Sequence, residues 1–137
     1  MGNHVEMFVQ LVWGTYGRQD VIRSGIEEQL HAVIGAKCVS LGCRPIAIGG
    51  TGDHVHVLIE LNPAVPVARV VAEAKGSSAH AMNHRLHPGA GFRWQEGYGA
   101  FTIATDDLKA VEDYVRDQKR HHAHGALEPT LESFAGA

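Results

Sequence analysis

Four short stretches of the chain are predicted to be β-strands, and in the first and third of them every second residue along one face is apolar. Residues 5–13, VEMFVQLVW, place every second side chain on one apolar face. CRPIAIGG, DHVHVLIEL and YGAFTIA are the second, third and fourth predicted strands. A turn cluster at residues 51–53 separates the second strand from the third, so these two are expected to form a hairpin.

Three other stretches carry hydrophobic residues at helical spacing. Ser24 and Glu27 have the spacing of a capping box, and a helix is predicted from about Gly25 to Leu41. A second helix covers VARVVAEAKGSSAHAMNHRLH, with Pro66 tolerated in its first turn. Thr105 is the predicted cap of a last helix.

The resulting order, β-α-β-β-α-β-α, predicts an α+β fold. It is that of a ferredoxin-like βαββαβ sandwich, in which helices cover an antiparallel sheet, with one additional C-terminal helix. The 137 residues are expected to form a single domain, 1–137, in which about 125–137 is a flexible tail.

Composition narrows the class of protein further. With 45% hydrophobic and 20% charged residues, the chain is typical of a soluble globular domain, and no apolar run approaches the roughly 18 residues that span a membrane. A cytoplasmic location without membrane contact is therefore expected. Two cysteines without a CxxC pair predict reduced thiols rather than a disulfide framework or zinc site. The net charge of −3 argues against a broad basic face that coats duplex DNA, but leaves room for a local basic patch.

The third strand carries an unusual pair of histidines. His54 and His56 lie on one face of the strand, while Val55 and Val57 lie on the other. By itself such a pair is more often structural than metal-binding. The pair therefore needs support from residues elsewhere in the chain.

That support comes from the last predicted helix. Tyr114 and Gln118 are i,i+4 neighbours, and the helical periodicity places them on the border between its buried and exposed surfaces. There a phenol and an amide could reach one ligand together. Alone, Tyr114 would be an ordinary interfacial aromatic and Gln118 an ordinary surface amide.

With these motifs together, the sequence resembles the single-tyrosine HUH transposases of small bacterial insertion sequences, including their REP-associated relatives. The resemblance runs from the first strand to about residue 122. It rests on His54-Val55-His56, AKGSS at 74–78, FRWQEGYGAFTI at 92–103 and the YxxxQ spacing of Tyr114 and Gln118.

This resemblance implies that His54, His56 and Gln118 bind a divalent metal ion, Mg²⁺ or Mn²⁺, with Zn²⁺ as a further option. It implies that Tyr114 is the nucleophile, which cleaves single-stranded DNA and forms a 5′-phosphotyrosine intermediate that can be rejoined. The ligand set suits this chemistry because it mixes nitrogen and oxygen donors and leaves positions open for substrate.

The resemblance also implies partners. These are single-stranded DNA with a hairpin near each element end and a second copy of the chain in a homodimer, with Tyr114 acting in cis or in trans. Candidate contacts to DNA phosphates are Lys75, Arg85, Lys119 and Arg120.

Two other functions compete with this interpretation. A histidine-triad hydrolase would need a third histidine, where the sequence has Leu58. A non-catalytic ferredoxin-like nucleic-acid-binding module, or a domesticated relic, would need aromatic side chains that stack on bases. Trp94 and Tyr98 are candidates for such stacking, although burial against the fourth strand explains them equally well.

Overall fold

The computed structural model describes residues 2–119 and residue 132. In this part of the chain, strands and helices follow one another in the predicted order. They are β1 (Phe8–Gly14), α1 (Ser24–Ser40), β2 (Arg44–Gly50), β3 (His54–Glu60), α2 (Val67–Ala81), β4 (Gly99–Ile103) and α3 (Leu108–Arg116). Short 3-10 turns lie at Tyr16–Arg18 and Thr105–Asp107, and a π turn at Met82–Leu86 extends α2.

The four strands form one antiparallel sheet in the order β2-β3-β1-β4. β1 and β2 are joined through α1 but are separated in the sheet by β3, which is the split βαβ arrangement. β1 pairs with β3 so that Val12 lies opposite His56 and Gly14 opposite His54. The predicted ferredoxin-like α+β fold is therefore confirmed.

Helices cover both faces of the sheet. The aliphatic face of β3, with Val55, Val57 and Ile59, packs in the larger core under α1 and α2. On the opposite face, Leu58 packs in a smaller cluster with Val111 and Val115 of α3. α3 thus covers the face of β3 that carries the two histidines.

Local details differ from the prediction. β1 begins at Phe8, which pairs with Glu60, the last residue of β3. Val5 and Met7 precede the strand and are exposed, although the Met7 carbonyl accepts a hydrogen bond from the Leu61 N–H at 2.7 Å. Two predicted helix caps are also wrong. The N-cap of α1 is Arg23 without a side-chain capping bond, and Thr105 lies in a 3-10 turn ahead of α3.

Among the described residues, no helix has the length and hydropathy that crossing a membrane requires. The flexible tail predicted for about 125–137 lies outside the described residues, apart from Glu132.

Candidate active site

His54 and His56 lie side by side at the start of β3. Both are fully buried, and their ring centroids are 5.1 Å apart. The strand alternation that was apparent in the sequence places both rings on the α3 side of the sheet.

The Nδ1 atom of each imidazole is hydrogen-bonded to an oxygen of a neighbouring side chain. His54 Nδ1 lies 2.8 Å from Asp53 Oδ1 and 3.0 Å from Thr51 Oγ1, and His56 Nδ1 is hydrogen-bonded to Gln10 Oε1. Carboxylate and amide oxygens only accept hydrogen bonds, so each Nδ1 donates to its neighbour, and in the neutral ring that metal binding requires this is the nitrogen that carries the proton. The Nε2 lone pairs are then directed at the opposite side, as in metal-ligating histidines whose other nitrogen is held by an oxygen.

Asp53 is itself held in place. Arg18 Nη2 donates to Asp53 Oδ1 at 3.3 Å, and Thr51 Oγ1 donates to the same oxygen at 3.1 Å. Burial alone would raise the pKa of Asp53, but hydrogen bonds from His54 and Arg18 and the charge of Arg18 lower it. The carboxylate therefore stays ionised and can orient His54.

Tyr114 and Gln118 approach the histidines from α3 and the residues that follow it. The Tyr114 ring centroid is 6.0 Å from that of His56, and Gln118 Oε1 is 3.3 Å from His54 Nε2. Gln118 Nε2 donates to the Tyr114 carbonyl at 3.1 Å, which fixes the amide oxygen toward His54. The sequence placed both side chains on the border of the helix, but they are 6% and 1% exposed, because α3 packs against β2 and β3 and Glu132 contacts the Tyr114 hydroxyl.

A carboxylate that the sequence analysis did not identify completes the cluster. Glu132 Oε1 lies 3.1 Å from His56 Nε2 and 3.5 Å from His54 Nε2, while Glu132 Oε2 accepts a hydrogen bond from the Tyr114 hydroxyl. Burial raises the pKa of Glu132, yet hydrogen bonding and charge interaction with His56 and the hydrogen bond from Tyr114 outweigh burial and lower the pKa to about 2. Glu132 follows a stretch without periodic pattern, so no sequence signal pointed to it.

The site is composed of groups that can hold a divalent cation. Ligand atoms of His54, His56 and Glu132 lie within 4.8 Å of one another, and Gln118 Oε1 adds an amide oxygen. These four are acceptors when Nδ1 carries the imidazole proton, so their convergence suits a positive ion.

Gly49 allows α3 to lie this close to the sheet, and Gly50 allows a close approach between the backbones of β2 and β3. A Cβ atom at Gly49 in β2 would lie 1.8 Å from the backbone oxygen of Val115, and one at Gly50 would lie 2.3 Å from that of His54. Arg116 Nη2 also donates to the Ile46 carbonyl at 2.7 Å. β2 therefore sets the height of Tyr114 above the histidines.

The four predicted phosphate contacts lie in different surroundings. Lys75 Nζ donates to the carbonyls of Gln95 and Gly97 at 2.8 and 2.7 Å, and Lys119 pairs with Glu27. Arg85 is exposed beside the C-terminal end of α2. Arg120 lies outside the described residues.

Two solved structures share the fold. One is a candidate transposase from Deinococcus radiodurans, with 23% identity, a TM-score of 0.67, and coverage of 86% of this chain and 95% of that protein. The other is a REP-associated tyrosine transposase bound to a REP hairpin, with 15% identity, a TM-score of 0.64, and coverage of 93% of this chain and 74% of that protein.

Sequence comparison gives the family. A search of curated proteins found no match. The family model described as "Transposase IS200 like" matches residues 3–118. The chain therefore belongs to the IS200-like transposase family.

Proposed function

We propose that this transposase cleaves and rejoins single-stranded DNA, with Tyr114 as nucleophile and a divalent metal ion as cofactor. The observation that carries the proposal is the position of one carboxylate: Glu132 contacts the Tyr114 hydroxyl with one oxygen and the Nε2 atoms of His54 and His56 with the other. A nucleophile and a set of metal ligands therefore share one site.

His54, His56 and Gln118 would hold the ion, and Glu132 Oε1 is positioned to serve as a fourth ligand. The mixture of imidazole nitrogens with amide and carboxylate oxygens suits Mn²⁺ and Zn²⁺ and also accommodates Mg²⁺. When bound, such an ion polarises a phosphate oxygen and stabilises the departing 3′-oxygen.

Tyr114 needs help to become a nucleophile, because a free phenol with a pKa of about 10 is only about 0.1% ionised at neutral pH. Glu132 Oε2 accepts the hydroxyl hydrogen bond, and because a carboxyl group with a pKa of about 2 does not retain the phenol proton, it passes that proton on to the departing 3′-oxygen. The Tyr114 oxygen then forms a bond to phosphorus while the bond from phosphorus to the 3′-oxygen breaks. The products are a 5′-phosphotyrosine and a free 3′-hydroxyl, which can attack the same linkage to rejoin DNA.

The substrate is proposed to be single-stranded DNA beside a hairpin. Support comes from the family and from the structural neighbour that binds a REP hairpin. The net charge of −3 means that phosphate contacts have to come from a local cluster of basic residues.

The test is the capture of a covalent protein–DNA adduct. A pool of hairpin-bearing single-stranded oligonucleotides is incubated with Mg²⁺ or Mn²⁺, and the products are separated on a denaturing gel. The wild-type protein and Tyr98→Phe, which removes a phenol hydroxyl outside the site, should form the adduct, whereas Tyr114→Phe should not. An adduct that persists in Tyr114→Phe, or binding without adduct formation in either metal, would refute the proposal, and the latter would favour the non-catalytic module.

A homodimer is part of the proposal, and we propose that Tyr114 acts in cis, on the metal site of its own chain. Mixing His54→Ala with Tyr114→Phe should then restore no adduct. Exchange of α3 between subunits would instead give one intact site in each mixed dimer and would restore adduct formation. Light scattering on the same samples measures whether the dimer forms.

A further inference from the structure

A cavity lies outside the histidine cluster, on the side of the sheet that α1 and α2 cover. It has a volume of about 150 Å³ and lies between the 3-10 turn after β1, the π turn after α2 and the segment ahead of β4. The side chains important here are Tyr16, Arg23, Met82, His87, Phe92 and Arg93. A cavity of this volume holds one benzene-sized ring.

The lining combines aromatic surface with positive charge. The Arg93 guanidinium carbon lies 4.3 Å from the centroid of the Tyr16 ring, and the Tyr16 side chain is 51% exposed. Arg23 adds a second cation, and no carboxylate is among the described residues that line the cavity. This local excess of positive charge stands out in a chain whose net charge is −3.

The walls of the cavity are held rigidly. Phe92 is fixed through Asn83, whose amide oxygen accepts from the Phe92 N–H at 2.6 Å and whose amide nitrogen donates to the Phe92 carbonyl at 2.9 Å. Trp94 packs edge-on against Phe92 and donates to Ser78 Oγ at 2.9 Å, so it belongs to the core. Tyr16, rather than Trp94, is therefore the aromatic side chain that an incoming base can reach.

The backbone connects this cavity to the histidines. Tyr16 follows Thr15, whose N–H donates to the Asp53 carbonyl at 2.8 Å, and Asp53 directly precedes His54. Arg18, at the end of the same 3-10 turn, adopts φ +55°, a left-handed conformation that costs energy for a residue other than glycine. Its side chain donates a hydrogen bond to Asp53. The turn Tyr16–Arg18 thus contributes Tyr16 to the cavity and Arg18 to the histidine site.

We propose that this cavity binds one unpaired, pyrimidine-sized base of the single-stranded DNA, stacked on Tyr16, while Arg23 and Arg93 contact the adjoining phosphates. The inference rests on the proposed function, since it identifies where the strand beside the cleavage site is held. Aromatic and guanidinium planes stack on bases without needing a particular sequence, and arginines bind phosphate through two parallel hydrogen bonds.

The test measures binding alone, in chelator, with fluorescein-labelled dT12 and a matched 12-mer of abasic residues. The wild-type protein should bind dT12 about 5-fold to 100-fold more tightly than the abasic strand, as expected for one stacked base. Tyr16→Ala should abolish that ratio, whereas Tyr16→Phe should keep it. Arg93→Ala should weaken the binding of both strands, and Arg69→Ala, which removes an exposed arginine from the other end of α2, should leave both unchanged.

Three results would overturn the inference: equal binding of the two strands by wild type, a ratio that survives Tyr16→Ala, or no measurable binding of dT12. A photocrosslink provides an independent check, since 5-iododeoxyuridine within dT12 should attach to Tyr16 or Phe92, and crosslinks elsewhere only would contradict the cavity. The adduct assay separates this inference from the proposed function. A metal-dependent adduct at Tyr114 without any base dependence of binding would refute the cavity and leave the cleavage mechanism intact.

Discussion

The separation between Tyr114 and the histidines depends on the absence of a side chain at Gly49. An added Cβ atom would lie 1.8 Å from the Val115 oxygen and 2.9 Å from the Val115 carbonyl carbon. Real Cβ atoms essentially never approach closer than 3.0 Å, and the obstacle is backbone rather than a flexible side chain. In Gly49→Ala, α3 therefore has to retreat from β2 by more than 1 Å, and Tyr114, which precedes Val115, moves with it.

Two effects of known size follow from this displacement. Overpacking a close contact costs about 1–3 kcal/mol of unfolding free energy, which lowers the Tm of a domain of this size by about 3–12 °C. A misplacement of about 1 Å can cost about 100-fold in rate. Adduct formation by Gly49→Ala should thus fall about 100-fold at a temperature where the variant is still folded.

The assay combines thermal unfolding with the rate of Tyr114–DNA adduct formation. Gly35→Ala is the matched control, because a Cβ atom there would lie 3.4 Å from Ile48 Cδ1, an ordinary contact at a helix surface. It should retain the wild-type rate and Tm or gain slightly in stability. Wild-type Tm and rate in Gly49→Ala would show that α3 does not rest on β2 as described.

Four further outcomes are expected. Asp53→Asn should weaken Mn²⁺ binding by about 10–100-fold in calorimetry, since it loosens the orientation of His54; unchanged affinity would contradict that role. Gly76→Ala should raise the unfolding free energy in urea by about 0.5–1 kcal/mol, because nothing lies within 4 Å of the added Cβ, and a loss would contradict it. Burial raises the pKa of Cys38 to about 11, so iodoacetamide should label that thiol only in unfolded protein. Burial lowers the pKa of His31, so on acidification the unfolded state takes up the proton before the folded state does, and the unfolding free energy should fall as the pH drops below about 6.5. His31→Gln should reduce this dependence of the unfolding free energy on pH, and an unchanged dependence would show that His31 does not cause it.

The fold was predictable because its signals are local. Alternation over nine residues identified the first and third strands, and the order of strands and helices left few topologies other than the split βαβ sheet. The starting point of β1 was not predictable in this way, since Val5 and Met7 continue the apolar pattern, whereas the strand pairing ends at Phe8 and Glu60 with one further hydrogen bond from the Leu61 N–H to the Met7 carbonyl. The helix caps failed for a related reason: Ser24 and Thr105 have suitable side chains, but the backbone enters each helix elsewhere.

The candidate site was predictable only in part. His54 and His56 share a face through strand geometry, and Tyr114 and Gln118 are neighbours through helix geometry. Gln10, Arg18 and Glu132 belong to the same site, but they come from segments that carry no pattern linking them to it. Gln10 was an isolated polar residue in an apolar strand, which is a weak signal of a buried polar partner.

The sequence by itself determined which side chains face the same way within each strand or helix, because the periods of the two structures are fixed by backbone geometry. Tertiary structure decided which of these faces meet. His56 is 46 positions from Gln10 and 76 from Glu132, and His54 is 64 from Gln118. Contacts over such separations depend on how α3 packs on the sheet above Gly49, and that packing is set by shape and burial across the whole domain rather than by any local repeat.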